Sequence, residues 1–564
     1  MKGGIIISIV FKQRSHPWFD NGILGLYQIA SQNGFDHTHE VEMTLLDDGL
    51  HLQANKDIDL TYFLEDCYEA LAARWWNVST AKQKADPKAV HYNCETDEFE
   101  LKAKRNPTPI PALFTKGSSW RLPNPDSAIN YEDLSPEIKK RLDEFLQEKS
   151  VALWGSSRKL LLDEPVCHKK LDLFPEEKEK KHICSICGSL SSNCVEVSQP
   201  TYILFASNTA TRSFNSEAGQ PDKVCWQCEM LGRFAVETLS YHQRFEDIFI
   251  LQIVSPQLTK ALKINQKIGY GSLLREINHD DYRTNIRYDG SVIHFARLPY
   301  EFLWAFFVQA YEIIKENIIL EQQADKLGLF EELMNITLDQ APVEIIVFMI
   351  SSKGQTFITK ELIYYNEPAY AFRLLFNIEE IGVSAKALFN QLWVKEEKDR
   401  YSLFRNEFFQ KVLLRQNVVR QLESFAFHQT MNEQGIYLRE LLRFVMFYEV
   451  WVRGINMTEQ QIKVAVNLGT AIILQAKEKI DKLDEFKKIK GDLFALRKTR
   501  TKEAFLNQLI TLQMRYGLIV SNVLQNGILE DVSFEEFKAY CLLGALNTYN
   551  SITKTKIEED NKND

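Results

Sequence analysis

Two pairs of cysteines are the residues whose types and spacing indicate chemistry most directly. Cys184 and Cys187 lie in KHICSICGSL, and Cys225 and Cys228 lie in VCWQCEM. Two intervening residues let the chain turn tightly enough for both sulfurs of a pair to face one ion, so two pairs can supply a tetrahedral set of thiolates. Thiolates in a closed four-ligand site favour zinc and leave no position for a reactive water. The spacing therefore predicts a structural zinc ion that organises the fold.

The same cysteines permit other interpretations, which the sequence leaves open. The four thiols could be buried without a metal, or they could hold an iron–sulfur cluster. His182, Cys194 or Cys167 could replace a cysteine of either pair as a ligand. The segment between the pairs, residues 188–224, is longer than the gap in a minimal zinc ribbon, which predicts a structured insertion that is partly a strand.

No familiar catalytic motif occurs in the sequence. A GxxxxGK[ST] phosphate loop, a serine elbow, an HExxH motif and the zinc deaminase pattern are all missing. His279 and Asp280 form an isolated pair without further histidines at helical spacing, which is typical of a turn or a helix cap. The sequence therefore predicts a protein that is not an enzyme.

Charge is distributed unevenly along the chain. Its 564 residues include 67 lysines and arginines against 76 aspartates and glutamates, and the formal charge of −9 does not favour binding to nucleic acid or to an anionic membrane. Residues 477–502, here called the basic segment, contain ten basic and five acidic residues. We predict that this segment lines one end of a helical bundle and follows phosphates, and the alternative is a solvated helix face. Its candidate contacts are Lys487, Lys488, Lys490, Arg497, Lys498, Arg500 and Lys502.

Helix signals indicate the elements that position these residues. In HPWFDNGILGLYQIA, Asp20 is placed to be the N-cap of a helix, and residues 16–19 would form a tight entry packed on that helix. From about residue 430 the apolar pattern is wholly helical. The chain offers capping boxes at Thr458/Gln461 and at Ser533/Glu536, and Gly517 can end a helix.

These signals predict an α+β chain of several domains. We expect a mixed α/β N-terminal region at 1–180, a zinc-binding insertion at 181–232, a mainly helical region at 233–430 and a C-terminal helical bundle at 431–564. No apolar run approaches the ~18 residues that a bilayer-spanning helix needs. We therefore expect no membrane partner and a cytoplasmic location, where the nine cysteines stay reduced.

An xPWFDxG corner at residues 16–22, two CxxC pairs in mid-chain and a basic helical C-terminus occur here in that order. Together they resemble the large subunit of type I CRISPR interference complexes (Cascade), most of all the CXXC–CXXC group of subtypes I-A and I-B. The resemblance spans most of the chain in order and length, and the cysteine pairs are its most specific motifs.

The resemblance implies a non-enzymatic role in a guide RNA ribonucleoprotein with the other Cascade subunits. Guide pairing would read the target, while this subunit would check a short flanking motif (the protospacer-adjacent motif) on double-stranded DNA. It would also help to open the duplex, hold the displaced single strand and recruit a separate helicase–nuclease or transposition proteins.

Two polar stretches are the candidates for contact with the flanking duplex. They carry donors that suit a DNA groove on segments otherwise poor in charge. The candidate residues are Lys116, Ser119, Arg121 and Asn124 in one stretch, and Asn208 and Arg212 in the other.

Two other classes of function stay open, and so does a second product. One class is a zinc-ribbon, nucleic-acid-binding adaptor in transcription or RNA processing. The other is a nuclease, for which His279 and Asp280 are the candidates. The resemblance also implies a second, shorter product, because members of that family often express the C-terminal bundle separately. Translation from Met431 would give such a product of 564 − 431 + 1 = 134 residues, against 564 − 457 + 1 = 108 from Met457.

Overall fold

A computed structural model describes most of the chain. The described residues are 7–75, 88–103, 118–121, 125–153, 158–163, 166–169, 173–174, 181–197, 201–204, 223–244, 247–267, 296, 298–320, 328, 331, 343–353, 356–392, 403–432, 438–454, 457–480, 483–519 and 532–563.

The chain folds as two compact units. The first consists of Met1–Asn285 and Ile313–Ala369, and the second of Ile286–Glu312 and Tyr370–Asp564. Strands lie in the first unit and the second is built from helices, so the predicted multidomain α+β class, with a helical C-terminal region, is confirmed.

The first unit opens with a small sheet and the helices beside it. Its elements are β1 (Ile7–Lys12), α1 (Pro17–Asn33), α2 (Phe35–Thr38), β2 (Glu42–Leu46), β3 (Gly49–Ala54) and α3 (Asp57–Trp75). The strands are antiparallel in the order β1–β3–β2, with Phe11 opposite Leu50. Phe11, Leu50 and Leu52 are buried, which turns one face of this sheet toward the core.

The start of α1 differs from the prediction. The N-cap is His16 and not Asp20, because Pro17 occupies the first helical position, where its missing N–H costs nothing. The His16 Nδ1 atom accepts a hydrogen bond from the Trp18 backbone N–H (3.2 Å). Residues 17–19 are therefore the first turn of α1 itself.

Residues 88–161 contain a second sheet with a core of its own. Its elements are β4 (Lys88–Asn93), β5 (Glu98–Ala103), β6 (Ser118–Arg121), β7 (Ala128–Asn130), α4 (Pro136–Lys149) and β8 (Lys159–Leu161). The strand order is β5–β4–β8–β7, and β6 pairs separately with β9 (Val166–Lys169). Val90, Leu142 and Leu160 lie at the centre of this core, apart from the main core of the unit.

The cysteine region joins two short hairpin-like pairs to a helix. It contains β10 (His182–Ile183), β11 (Leu190–Ser191), β12 (Cys194–Glu196), β13 (Lys223–Cys225) and α5 (Trp226–Phe234). β10 pairs with β11 and β12 with β13, both antiparallel. The inserted stretch between the cysteine pairs is thus partly strand, as predicted.

A four-stranded antiparallel sheet completes the first unit. β14 (Ser240–Arg244), β15 (Asp247–Val254), β16 (Glu344–Lys353) and β17 (Thr356–Tyr365) follow one another in that order, with α6 (Leu258–Lys267) after β15. Ile248, Ile250 and Phe348 belong to the same buried cluster as Trp18 and Cys228. One continuous core therefore links this sheet to α1 and to the cysteine region.

The described part of the second unit is helical. Its helices are α7 (Pro299–Leu320, of which residues 299–312 belong here), α8 (Pro368–Glu380, of which residues 370–380 belong here), α9 (Ala385–Gln391), α10 (Phe404–Leu413), α11 (Val419–Met431), α12 (Arg439–Arg453), α13 (Glu459–Lys479), α14 (Leu483–Phe486), α15 (Ile489–Lys498), α16 (Lys502–Tyr516) and α17 (Phe534–Asn563). The capping box at Thr458 and Gln461 is present, and Gly517 ends α16 in the left-handed conformation (φ 74°), as predicted. At the second predicted box, Glu536 Oε1 accepts a hydrogen bond from Asn417 Nδ2 (3.1 Å).

Helix α11 packs against α17 across the predicted boundary between residues 430 and 431. Thr430, near the end of α11, accepts a hydrogen bond from the buried Asn550 amide of α17 (2.9 Å). A product that began at Met431 would lack α11 and would expose the apolar surface that this helix covers. The contact places α11 beside the helices that follow residue 431, and the expected product from Met431 stays a prediction.

Among the helices in the described ranges, none combines the length and the apolar content that crossing a bilayer requires.

Candidate metal centre

The four predicted cysteines come together in the first unit. The Sγ atoms of Cys184, Cys187, Cys225 and Cys228 all lie within 4.8 Å of one another. The Cys187 and Cys225 sulfurs are 3.7 Å apart, which is close to the edge of about 3.8 Å expected for a tetrahedron with metal–sulfur bonds of about 2.3 Å. None of the four forms a disulfide. This group, here called the four-thiol centre, has the donors and the spacing to hold a metal ion.

A tight turn brings the first two sulfurs to the centre. The Gly188 N–H donates to the Cys184 carbonyl (2.9 Å), and the Cys184 N–H donates to the Ser189 carbonyl (2.9 Å). Gly188 adopts φ 70°, the left-handed region that a side chain disfavours. The glycine after the first pair therefore supplies the backbone conformation that this turn requires.

A strand-to-helix junction brings the sulfurs of Cys225 and Cys228 to the centre. Cys225 ends β13 and is the N-cap of α5, and Cys228 lies in the first turn of that helix. The positive end of a helix dipole favours negative charge at these positions. The Ser185 N–H donates to the Lys223 carbonyl (2.9 Å), so the two halves of the centre are also joined through their backbones.

Burial and hydrogen bonds between the thiols shift the pKa values of three of the four cysteines. Cys184, Cys225 and Cys228 are buried and Cys187 is half-buried. Hydrogen bonds from the Cys225 and Cys228 thiols hold the pKa of Cys184 well below its usual range. Donation to Cys184 raises the pKa of Cys225 to about 12, and donation to Cys184 and Cys225 raises the pKa of Cys228 far above its ordinary value. The Cys225 and Cys228 thiols thus hold protons that a bound cation would displace.

Two of the alternative ligands, His182 and Cys194, lie beside the centre and not in it. Cys194 is opposite Cys225 in the β12–β13 ladder, but its sulfur contacts the His182 and Ser191 carbonyls (3.7 and 3.6 Å). The His182 Nε2 atom is 3.1 Å from the Lys223 ammonium. Cys167 lies on β9, and its side chain is outside the described part of the structure. Within the described residues, the group that could hold a metal contains only the four predicted cysteines.

The centre is anchored to the HPWFD corner at the start of α1. The Trp18 Nε1–H donates to the carbonyls of Thr201 (3.0 Å) and Gly232 (2.9 Å), and Gly232 lies on α5, the helix that carries Cys228. A Cβ added to Gly22 would overlap the carbonyl oxygen of Leu231, also on α5. The two helices are therefore in backbone contact, which only glycine permits.

Polar groups at the corner strengthen this junction. The Asp20 carboxylate accepts hydrogen bonds from the Arg14 N–H (2.5 Å) and the His16 N–H (3.0 Å), and burial raises its pKa to about 6. The Arg14 guanidinium donates to the Gln227 amide oxygen (3.2 Å), between the two cysteines of the second pair. Burial lowers the pKa of His16. Sequence reasoning found the corner and the cysteines but missed their contact, whose signal was the glycines at 22, 25 and 232.

The candidate contacts for flanking DNA are described only in part. Ser119 and Arg121 lie on β6, opposite His168 and Val166 of β9, and their side chains are outside the described part. Lys116, Asn124, Asn208 and Arg212, as well as His279 and Asp280, are outside the described residues.

The basic segment divides into two groups at the ends of α15. Lys487 and Lys488 are exposed just before this helix, and Lys490 is half-buried in its first turn. Lys498 ends the helix, and Arg500 and Lys502 follow it at the start of α16. A ten-residue helix spans about 15 Å, so the two groups are separated by about that distance.

Arg497 has an intramolecular partner. Its Nε atom donates to Glu423 Oε1 (2.7 Å), its Nη2 atom donates to Ser424 Oγ (3.2 Å), and its guanidinium lies over the Phe427 ring at 4.6 Å. Glu423 is buried, and its burial raises the pKa of the carboxyl group. Arg497 therefore connects α15 to α11, a role different from the predicted phosphate contact.

No protein-family model matches the chain, and no curated protein matches it either.

Proposed function

We propose that the four-thiol centre holds one structural zinc ion. Four thiolates at tetrahedral spacing suit zinc, and they fill its coordination shell, so no position remains for a reacting water. Bound there, the ion would join the turn at 184–189 to α5. The role is to stabilise the first unit, and the chemistry of the site is coordination alone.

We further propose that the chain is a non-enzymatic subunit of a type I CRISPR effector complex, where it recognises the flanking motif and stabilises the opened target. The observation that carries this proposal is the contact between the two motifs on which the resemblance rests. The HPWFD corner and the second cysteine pair meet in one buried core through Trp18, Gly22 and Gly232. Motifs far apart in the sequence thus form one structural unit, and this contact is what supports the proposal.

A zinc-ribbon adaptor remains the second candidate because the four-thiol centre suits it equally well. Such an adaptor would bind nucleic acid or polymerase without a guide RNA. The two functions therefore differ in the RNA that accompanies the protein.

The RNA that accompanies the chain tests the proposed function. We expect the tagged full-length protein, purified from its native cells, to carry short RNAs of uniform length that each contain the same repeat-derived end. Sequencing of the bound RNA and mass spectrometry of the bound proteins are the measurements. Messenger or transfer RNA with polymerase subunits would select the adaptor, and the absence of RNA from the intact complex would contradict the proposal.

The basic segment is expected to act through phosphates on the displaced strand. Replacing Lys488, Lys498 and Arg500 by alanine should flatten the slope of log K against log salt by up to about two, at about 0.7 per phosphate on single strands. Arg497→Ala should leave the slope unchanged and cost about 1–3 kcal/mol of stability, because it leaves the buried Glu423 carboxylate without its partner.

Single-strand binding by the assembled complex at several salt concentrations, with thermal unfolding of each variant, makes this comparison. An unchanged slope for the triple variant would show that the basic segment does not contact phosphates and is a solvated helix face.

A further inference from the structure

Helix α12 presents arginines and aromatic rings on its exposed side. Arg439, Arg443, Phe447 and Trp451 recur every four residues along α12, and we call them the aromatic–arginine stripe. Arg439 and Arg443 are exposed, Phe447 is half-buried and Trp451 is 38% exposed. Residues four apart on a helix are neighbours on its surface, so these side chains form one continuous strip.

The opposite side of α12 holds the stripe in place. Leu441, Phe444, Val445 and Tyr448 are buried, and the Tyr448 hydroxyl donates to the Gln416 carbonyl (2.8 Å). With that face packed, the helix cannot rotate about its axis. The stripe is therefore a fixed surface feature of the second unit.

The two aromatic residues form a preorganised stacking surface. The Phe447 and Trp451 rings are 5.5 Å apart between centroids and nearly parallel, at an interplanar angle of 14°. Phe447 supports the indole ring on one side, and Trp451 keeps more than a third of its surface open to solvent. A flat, supported and accessible indole is the surface on which a nucleic-acid base stacks.

The two arginines differ from Arg453 and Arg497, two ion-paired cations of the same unit. Arg453 on the same helix binds the buried Glu449 (3.3 Å), and Arg497 binds Glu423. Within the described residues, no ion pair or hydrogen bond is recorded for Arg439 or Arg443, and the only other acid of α12 is the half-buried Glu440. One side of the Arg443 guanidinium lies against the turn at Gly382, 3.6 Å from where a Cβ of that residue would stand. Both arginine side chains are nevertheless exposed, so their guanidinia can reach an external anion.

We propose that the aromatic–arginine stripe binds single-stranded nucleic acid, with Arg439 and Arg443 on phosphates and the Phe447–Trp451 pair against a base. Bases in a duplex are already stacked on their neighbours, so an exposed indole selects an unpaired strand. A protein partner is less favoured because an apolar helix would desolvate two guanidinia without supplying anions. This inference rests on the proposed function and deepens it, since it assigns the unpaired strand a binding surface on α12 that is separate from the basic segment.

Binding of labelled oligonucleotides by the purified full-length chain tests the stripe without any guide RNA or partner. The probes are a 15-nucleotide oligo-dT, the matching oligo-U and a duplex of the same length. Trp451→Ala should weaken single-strand binding about fivefold to a hundredfold with an unchanged salt slope, since stacking carries no charge. Arg443→Ala should flatten the slope by about 0.7, and Trp451→Phe should retain most of the affinity.

Matched variants separate the stripe from general surface effects. Tyr62→Ala removes an exposed ring (52% exposed) in the first unit, and Arg420→Ala removes an exposed cation on α11. Both controls should bind oligo-dT as the wild type does, and thermal unfolding should show that every variant is folded. Unchanged binding by a folded Trp451→Ala variant, or an equal loss on the duplex, would overturn the proposal. Because no guide RNA is needed, that result is distinguishable from a failure of the proposed function.

Discussion

Replacing Cys228 by serine is expected to remove the metal and unfold the first unit. Structural zinc contributes about 10–16 kcal/mol in small zinc domains, whereas a whole domain is stable by only about 5–15 kcal/mol. Cys228 is fully buried in the main core, so its loss acts on α5 as well as on the ion. The energy removed is comparable to the entire stability of the unit.

Cys194→Ser provides the matched control for this experiment. Cys194 pairs with Cys225 across the ladder but lies outside the four-thiol centre, so its serine variant should keep a full equivalent of metal and a near-wild-type unfolding temperature. Metal content by mass spectrometry and thermal unfolding are measured on both variants. A Cys228→Ser protein that keeps its metal, or a Cys194→Ser protein that loses it, would contradict the assignment of ligands.

Gly22→Ala is expected to have the next largest effect. Its Cβ would overlap the Leu231 carbonyl oxygen, and because both partners are helix backbone the strain can be relieved only by moving α1 away from α5. Overpacking of this kind costs about 1–3 kcal/mol, and the backbone clash places it at about 3 kcal/mol. The first unit should then unfold on the order of 5–10 °C earlier.

Gly491→Ala distinguishes the clash from a general effect of alanine. Gly491 lies inside α15 with no atom within 4 Å of its added Cβ, so alanine should stabilise the second unit by up to about 1 kcal/mol through helix propensity. Calorimetric scans of the two variants give the comparison. Equal unfolding temperatures for Gly22→Ala and wild type would show that α1 and α5 are not in backbone contact.

The four-thiol centre could be predicted because its information is local. A CxxC turn defines the direction of both sulfurs within four residues, and Gly188 marks the left-handed position beside it. The capping box at Thr458 and the glycine end at Gly517 were predictable for the same reason. Each depends on residues within one turn of a helix.

The wrong N-cap and the contacts that the sequence did not indicate arose where distant residues decide the outcome. Asp20 resembles an N-cap, but Pro17 begins the helix and the carboxylate turns back to the Arg14 and His16 N–H groups. Arg497 belongs to a basic run, yet a buried carboxylate on another helix binds it. The only local sign of the contact between α1 and α5 is glycine. Glycine occurs in turns and helix caps as well as at close backbone contacts, so a single sequence does not separate these roles.

X-ray absorption at the zinc edge, combined with metal analysis of the full-length protein purified without chelators, tests the central claim most directly. The account predicts one zinc per chain with four sulfur neighbours at about 2.3 Å and no nitrogen or oxygen ligand. Protein that contains no stoichiometric metal, contains iron, or has a mixed first shell would contradict it.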